Sequence, residues 1–482
     1  MEGMNEQPAA LLPELILILG AVTALLVGIF QPRDRQWIAR ALAAVVLAAC
    51  IVVTLLQLRL GPGNGMFYGD SWAVDQSTNA VRVIASVAAL ITLALGGQRL
   101  RDDPRETEFA VLVVLATLGT VVFAGAADLL VLAVAYLLAS IPLYALAGWG
   151  RDPRGAEAAL KIYLFGALFG VVMLLGVTLM LGAGGGSSTY TDLASSLRSA
   201  GTAGVPRLAL AAGLLAVLAG LFFKAGAVPA HFWVPDAAEG ATAPAAAFLT
   251  TVPKIGALAA AYRLVLTVPD TLVDWRLLIA VVAAASMTLG NLGAFYQDSP
   301  KRLLGYSTIS QVGYLLMAVA IAGRDSALPA LLGYLAAYAV TNLAAFAVVA
   351  ALPNLVTIGD YRGLARRRPA LTAVLVVSLL GLVGTPPTAV FVGKVSVFAA
   401  TWDAGMAWLV AVAAVNTVAS LYYYLRWLAP SFSASEAEPE LPKGPTLVPW
   451  AGATAVVSGI AALAVGPLYG LLLAMFEGGL AR

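Results

Sequence analysis

Long apolar runs, each about the length of a bilayer-spanning helix and separated by short polar or glycine- and proline-bearing links, fill most of this 482-residue chain. A hydrocarbon core about 30 Å thick needs about twenty helical residues to cross it, so the runs predict roughly fourteen spanning helices. They lie near residues 9–30, 37–58, 72–97, 107–125, 127–148, 156–183, 206–233, 239–267, 277–295, 302–322, 328–351, 370–400, 404–428 and 446–475. Almost nothing separates the run ending at 125 from the one starting at 127. The first run, Ala9 to Phe30, has neither a basic leader nor a small-residue cleavage site, so it reads as a retained helix and not a signal peptide. The expected fold class is an all-α polytopic membrane protein.

Composition sharpens that picture. A hydrophobic fraction of 61%, a charged fraction of 11% and a mean hydropathy of +0.89 exclude a soluble core. The single cysteine, Cys50, lies in an apolar run and makes neither an intrachain disulfide nor a cysteine metal cluster, and no metal site is expected. A net charge of +2 does not point to nucleic acid; the expected surroundings are the lipid bilayer. Arginines and lysines are informative by position. Arg33 and Arg35, then Arg99, Arg101 and Arg105, then Arg151 and Arg154, then Lys301 and Arg302, then Arg362 and Arg366 to Arg368 fall in alternate loops. The positive-inside rule makes those loops cytoplasmic and puts both termini on the outer side. The glycine- and serine-rich stretch from Gly182 to Gly204 then reads as a flexible external loop, and the acidic stretch from Ser431 to Pro445 as an internal one. No soluble segment is long enough for a nucleotide or an iron-sulfur cluster, and the glycine runs lack a strand-to-helix context. Redox chemistry, if any, belongs to another subunit.

Candidate chemistry rests on lysines inside apolar runs. Lys224, Lys254 and Lys394 all lie within predicted spans. A lysine at mid-membrane costs about 2.5 to 3.5 kcal/mol on insertion scales, so deep lysines mark a proton or ion path by default. Two of the spans are broken. LFFKAGAVPAHFWVPD places Pro229 soon after Lys224, with His231, Trp233 and Asp236 beyond; SLLGLVGTPPTAVFVGKVSVF places Gly384, Pro386 and Pro387 before Lys394. Proline removes a backbone donor, and in a bilayer the freed carbonyls are tolerated only where buried or wet. Two interrupted segments, each with a lysine, in corresponding places of two halves form the pattern of inverted-repeat transporters. Two five-helix repeats are expected over helices 4–8 and 9–13, dividing the chain into residues 1–105, 106–267, 268–428 and 429–482. Lys254 follows Pro253 directly, in a third locally disturbed helix. A bland alternative stands beside the proton-path reading: each lysine snorkels, or makes a fixed bond to a broken-helix carbonyl.

The stretches HFWVPDAAEGATAPAAAFLTTVPK, SPKRLLGYSTISQVGYLL, YLAAYAVTNLAAFAVV, GTPPTAVFVGK and NTVASLYYYLRW, in this order, resemble the antiporter-like membrane subunits of proton-translocating NADH-quinone oxidoreductase, respiratory complex I, and among these the subunit N family. The resemblance runs over nearly the whole chain, from LLPELILILG onward. It implies fourteen helices with broken helices 7 and 12, a role as one proton pump of the membrane arm in a bacterial inner membrane, and neighbours that include the antiporter-like M and the small K-, J- and A-type subunits. It implies NADH, FMN, iron-sulfur clusters and quinone in partner subunits, and no cofactor in this chain. Carried over by motif, Lys224 resembles the helix 7 lysine, Lys254 the central helix 8 lysine and Lys394 the helix 12 lysine near the exit, with His231 in the broken segment and Lys161, in EAALKIYLFGAL, at the helix 6 lysine position. A lysine at the last position favours N or L over M, and the lack of a long amphipathic C-terminal arm argues against L.

The chain also departs from that pattern. The family's helix 5 glutamate, in a pattern like E-L-x-S-x-P, pairs with the helix 7 lysine; here the stretch is Leu137-Leu138-Ala139-Ser140-Ile141-Pro142, with Leu137 at the glutamate position. Asp128 lies nine residues earlier, too far along a helix to substitute. Either another carboxylate reaches in, or Lys224 is tuned by desolvation alone, or pumping is altered in a specialised paralogue. The alternative from another class is a subunit of a multi-subunit cation/proton antiporter with no redox partner. A structural scaffold in the membrane arm is the third reading.

Overall fold

The computed structural model of the chain describes residues 6–61, 63–101, 103–433, 447–474 and 479–481. Most of the acidic internal stretch expected at 431–445 therefore lies outside the described residues. The long helices are α1 (Leu12–Phe30), α2 (Trp37–Leu60), α3 (Gln76–Gly96), α4 (Glu106–Gly125), α5 (Leu129–Ala147), α6 (Pro153–Ala183), the broken pair α7a (Arg207–Ala225) and α7b (Trp233–Gly240), α8 (Ala243–Val265), α9 (Trp275–Ala294), α10 (Pro300–Ala320), α11 (Ala327–Ala351), the broken pair α12a (Pro369–Val383) and α12b (Ala389–Asp403), α13 (Ala407–Phe432) and α14 (Pro449–Ala464). Among the described residues twelve helices are long and apolar enough to cross a membrane, and α12a and α14 are shorter apolar helices.

Burial and polarity go together at the two ends of the range, although α13, as polar as α10, is mostly uncovered. The windows of α1 and α2 have hydropathies of 2.4 and 2.6 and are mostly uncovered by the rest of the chain, whereas α8 and α10, at 1.3 and 1.4, are buried along all or nearly all of their length. Helices that face lipid must be apolar, so polar side chains collect in the helices that do not. Small residues let these central helices approach closely. A Cβ on Gly256 of α8 would stand 2.2 Å from the Thr120 carbonyl oxygen of α4, and one on Gly290 of α9 2.5 Å from the Ser310 nitrogen of α10. Helix starts are fixed by caps: Asp128 accepts from the amides of Leu130 and Val131, and Asp152 from that of Gly155. Asp128 also accepts from the Ser188 hydroxyl at 2.5 Å, which holds it at the α4–α5 corner and away from Lys224.

The N-terminal helices are tied in by buried ion pairs. Arg82 of α3, fully buried, binds both carboxylate oxygens of Glu14 at 2.7 Å and the Ala10 carbonyl at 2.8 Å. Asp75 caps α3 through the Thr78 amide, pairs with Arg263 of α8 at 2.8 Å and accepts the Ala481 amide at 3.0 Å. Leaving one partner of such a pair uncompensated costs about 3–5 kcal/mol, so these bonds hold α1 and α3 in register with each other and with α8.

Two segments differ from their expected form. Residues 72–74, expected to open the third helix, form the strand β2 (Trp72–Val74), antiparallel to β1 (Gly65–Phe67), with Met66 opposite Ala73. The Asp75 cap starts the helix after it. The stretch from Gly182 to Gly204, expected as a flexible loop, contains a helix at Tyr190–Gly204, capped by Thr189 on the Asp192 amide and seated by Tyr190, Leu193 and Leu197, all buried. Alternating apolar and polar positions at helical spacing outweigh the local glycine and serine content.

Candidate functional site

The first break begins where Gly226 takes φ 81°, in the left-handed region that suits glycine and ends α7a. The Phe223 carbonyl, which at the break takes the Gly226 amide at 3.2 Å in place of its regular helical donor, also accepts the indole N–H of Trp233 at 2.9 Å, from the first residue of α7b. Lys224 lies on the last turn of α7a, 1% exposed. Its Nζ stands 4.9 Å from the ring centre of Tyr136, 5.8 Å from that of Tyr144 and 6.0 Å from that of Phe223. Among the described residues no carboxylate comes within salt-bridge distance of it. A cation over a desolvated aromatic face gains about 2 kcal/mol, so the rings offset part of the cost of burying the ammonium.

The second break repeats the device with a different side chain. Gly384 takes φ 92° and ends α12a, and Lys394, from the second turn of α12b, donates to the Val383 carbonyl at 2.8 Å. Its Nζ is also 4.0 Å from the ring centre of Tyr314. A Cβ on Gly384 would stand 2.9 Å from Lys394 Cδ, so glycine there both allows the turn and clears the lysine stem. A fixed bond to a broken-helix carbonyl thus holds Lys394 and not Lys224.

Lys254 is completely buried in α8. Pro253 has no N–H to donate, and the Thr250 carbonyl, one residue on from the partner it would have had, accepts Lys254 Nζ and, at 2.8 Å, Tyr338 Oη. From here buried polar side chains run across the second half of the molecule. Tyr338 meets Thr308 of α10 at 3.0 Å; one turn on, Gln311 donates to the Leu382 carbonyl at 2.8 Å and accepts from Tyr334 Oη at 2.5 Å. Leu382 is the neighbour of Val383, whose carbonyl holds Lys394. Ser307 and Tyr424 share a bond of 2.5 Å beside this line, and Thr417 donates to Tyr314 Oη at 3.1 Å. Ser307, Thr308, Gln311 and Tyr314 occupy one face of α10 at helical spacing. These belt residues were not singled out from sequence, although a polar stripe at i, i+1, i+4 and i+7 in an apolar helix was the signal that marks them.

The remaining expected residues fall elsewhere. His231 lies between α7a and α7b with Nδ1 buried and unpartnered, its ring 4.7 Å from that of Phe232. Lys161 does not join the buried lysines. It is partly exposed and pairs with Glu157 at 2.6 Å and Asp236 at 2.7 Å, in a cluster where Arg302 also binds Asp236 at 2.6 Å and Glu239 at 3.1 Å. Next to it is a cavity of about 250 Å³ lined by Arg99, Asp152, Arg154, Glu239 and Lys301. Leu137 is 51% exposed, whereas Tyr136, one residue before it, is buried against Lys224. The position that motif spacing assigns to the lysine's partner therefore faces outward.

Over residues 126–420 the chain matches the family described as NADH:quinone oxidoreductase/Mrp antiporter, TM. It is 52% identical over 473 residues to NADH-quinone oxidoreductase subunit N 1 of Streptomyces griseus subsp. griseus, covering 98% of each chain. The chain belongs to the NADH-quinone oxidoreductase subunit N family. Another member of this family, NADH-quinone oxidoreductase subunit N of Mycobacterium sp. (strain JLS), is 52% identical over 427 residues, covering 88% of this chain and 89% of the relative. A chain of respiratory complex I from Thermus thermophilus superposes with a TM-score of 0.81 at 34% identity, over 97% of this chain and all of that one. The Mrp complex from Dietzia sp. DQ12-45-1b contains a chain with a TM-score of 0.84 at 22% identity over 97% of this chain and 96% of its own, a likeness of fold alone.

Proposed function

We propose that this chain is a proton-translocating subunit in the membrane arm of a complex I-type NADH:quinone oxidoreductase, and that Lys224, Lys254 and Lys394 carry the protons. The observation that carries the reading is the burial of all three ammonium groups with no carboxylate in reach among the described residues. A permanently neutralising partner would favour one protonation state; rings and carbonyls stabilise the charged form and leave the lysine able to lose its proton. Protons enter from the arginine-rich side, placed in the cytoplasm by the positive-inside rule, by way of the cavity beside Glu239 and Lys301. They pass Lys224 and His231 to Lys254, cross the belt of Tyr338, Thr308, Gln311 and Tyr334, and leave past Lys394. Between Lys224 and Lys254 bridging water completes the route. The two inverted repeats, helices 4–8 and 9–13, place one break in each half of this path.

Electrons and the energy they release come from partner subunits that hold NADH, FMN, iron-sulfur clusters and quinone, and the neighbours of this chain are other membrane-arm subunits. Moving one charge against 100 mV takes about 2.3 kcal/mol, within reach of a modest change in the surroundings of a buried lysine. Replacing Lys254 by Met in the intact complex is expected to abolish the proton transfer that depends on this subunit while the complex still assembles. A normal ratio of protons moved to electrons transferred in that variant refutes the reading. Affinity purification of the tagged chain is expected to bring flavin and iron-sulfur subunits with it; their absence favours an antiporter assembly instead.

A further inference from the structure

Lys224 differs from the other two buried lysines in what meets its ammonium. Lys254 and Lys394 each donate to a main-chain carbonyl, whereas among the described residues Lys224 has rings and no hydrogen-bond acceptor. Three helices build that environment. α5 presents Tyr136, Ser140 and Tyr144 at four-residue spacing on one face. The Ser140 hydroxyl donates back to the Tyr136 carbonyl at 2.5 Å, and the contacts that this face makes with the lysine are those of the two rings. α6 receives both tyrosines at two glycines. The Gly166 carbonyl accepts Tyr136 Oη at 2.7 Å, and a Cβ on Gly166 would stand 2.1 Å from Tyr144 Oη; a Cβ on Gly170 would stand 3.0 Å from Tyr136 Cε1. α7a contributes Phe223, stacked on Phe169 with ring centres 5.3 Å apart.

A π face attracts an ammonium without the directional line of a hydrogen bond. The charge is held in place while its N–H groups stay available to water or to another acceptor. Trp233 adds its indole N–H to the Phe223 carbonyl, which the Gly226 amide also reaches at 3.2 Å, so that acceptor is occupied twice over. We propose that Tyr136 and Tyr144, seated on Gly166 and Gly170, form an aromatic cage that positions protonated Lys224 in place of a carboxylate, and that proton transfer through the first half of the chain requires it. Both tyrosines act as positioning residues. The proposal rests on the reading that Lys224 carries protons.

The test uses the whole complex in sealed membranes and reads protons moved per electron pair for Lys224→Met, Tyr136→Leu and Tyr136→Phe. Tyr136→Leu removes the ring and is expected to lose most of what Lys224→Met loses. Tyr136→Phe gives up the bond to Gly166 but keeps the π face, and is expected to restore most of the proton yield. Should Tyr136→Leu prevent assembly, Tyr144→Leu and Tyr144→Phe, at a less buried position, carry the same comparison. A native yield in the leucine variants beside a defective Lys224→Met overturns the cage and leaves the lysine reading intact. A phenylalanine variant as defective as leucine also overturns it, because the hydroxyl and not the ring would then be required. A native yield in Lys224→Met removes the underlying reading itself.

Discussion

At Gly226 the side chain that reaches back across the break is Trp233; at Gly384 it is Lys394. Both breaks end a half-helix on a left-handed glycine, and both satisfy a carbonyl that the interruption leaves without its helical donor. The indole has no charge to move, so at the first break the lysine is spared this duty and stands among aromatic faces. At the second, capping and charge fall on one residue. Lys394 is tied to a fixed acceptor at one end of a hydrogen-bonded belt, whereas Lys224 is held by contacts that leave its protons unbonded. The difference teaches that the same need, closing a helix break in lipid, can either anchor a charge or free it, depending on which residue does the capping.

Lys394→Met should break the second arrangement most severely, since the proposed proton carrier and the cap of Val383 go together. The expected result is loss of coupled pumping in inverted vesicles, with reduced thermal stability of the solubilised complex. Gln311→Leu comes next, leaving the Leu382 carbonyl and Tyr334 Oη without their partner at about 1–3 kcal/mol for each buried group. A lower melting temperature and a partial loss of proton yield are expected; retention of both would show that the belt is not a route. Trp233→Phe sharpens the comparison by removing the indole from the Phe223 carbonyl, which keeps the Gly226 amide and gains room for a bond from Lys224. The first break should then resemble the second, with a modest fall in proton yield that Tyr136→Phe does not produce. Leu137→Glu is the smallest change. Because Leu137 faces outward, a carboxylate there should leave pumping at the native level, and a gain or loss would place that face against a charged neighbour.

The spans, the two breaks and the burial of Lys224, Lys254 and Lys394 were legible in the sequence, because hydropathy over about twenty residues and proline placement are strong signals in lipid. The hairpin was not. Trp72, Ala73 and Val74 read as the start of an apolar helix until Asp75 is seen to cap the helix after them. Lys161 takes the helix 6 lysine position by its motif, close to the cytoplasmic end, and its pairing with Glu157 and Asp236 in a partly exposed cluster is visible only in the folded chain. The belt escaped notice because its residues come from several apolar helices, Thr308 and Gln311 from α10 and Tyr334 and Tyr338 from α11, and only packing brings them together. Leu137 illustrates the same limit: motif spacing identifies a position along α5, whereas a turn of 100° between neighbours decides that Tyr136 is the one that meets the lysine.

The central claim is that the buried lysines exchange protons and do not merely supply positive charge. Lys254→Arg separates the two, because arginine keeps the charge and its guanidinium does not deprotonate in proteins. Measured as protons moved per electron pair in the assembled complex, Lys254→Arg is expected to be as defective as Lys254→Met. A native yield in the arginine variant would contradict the account.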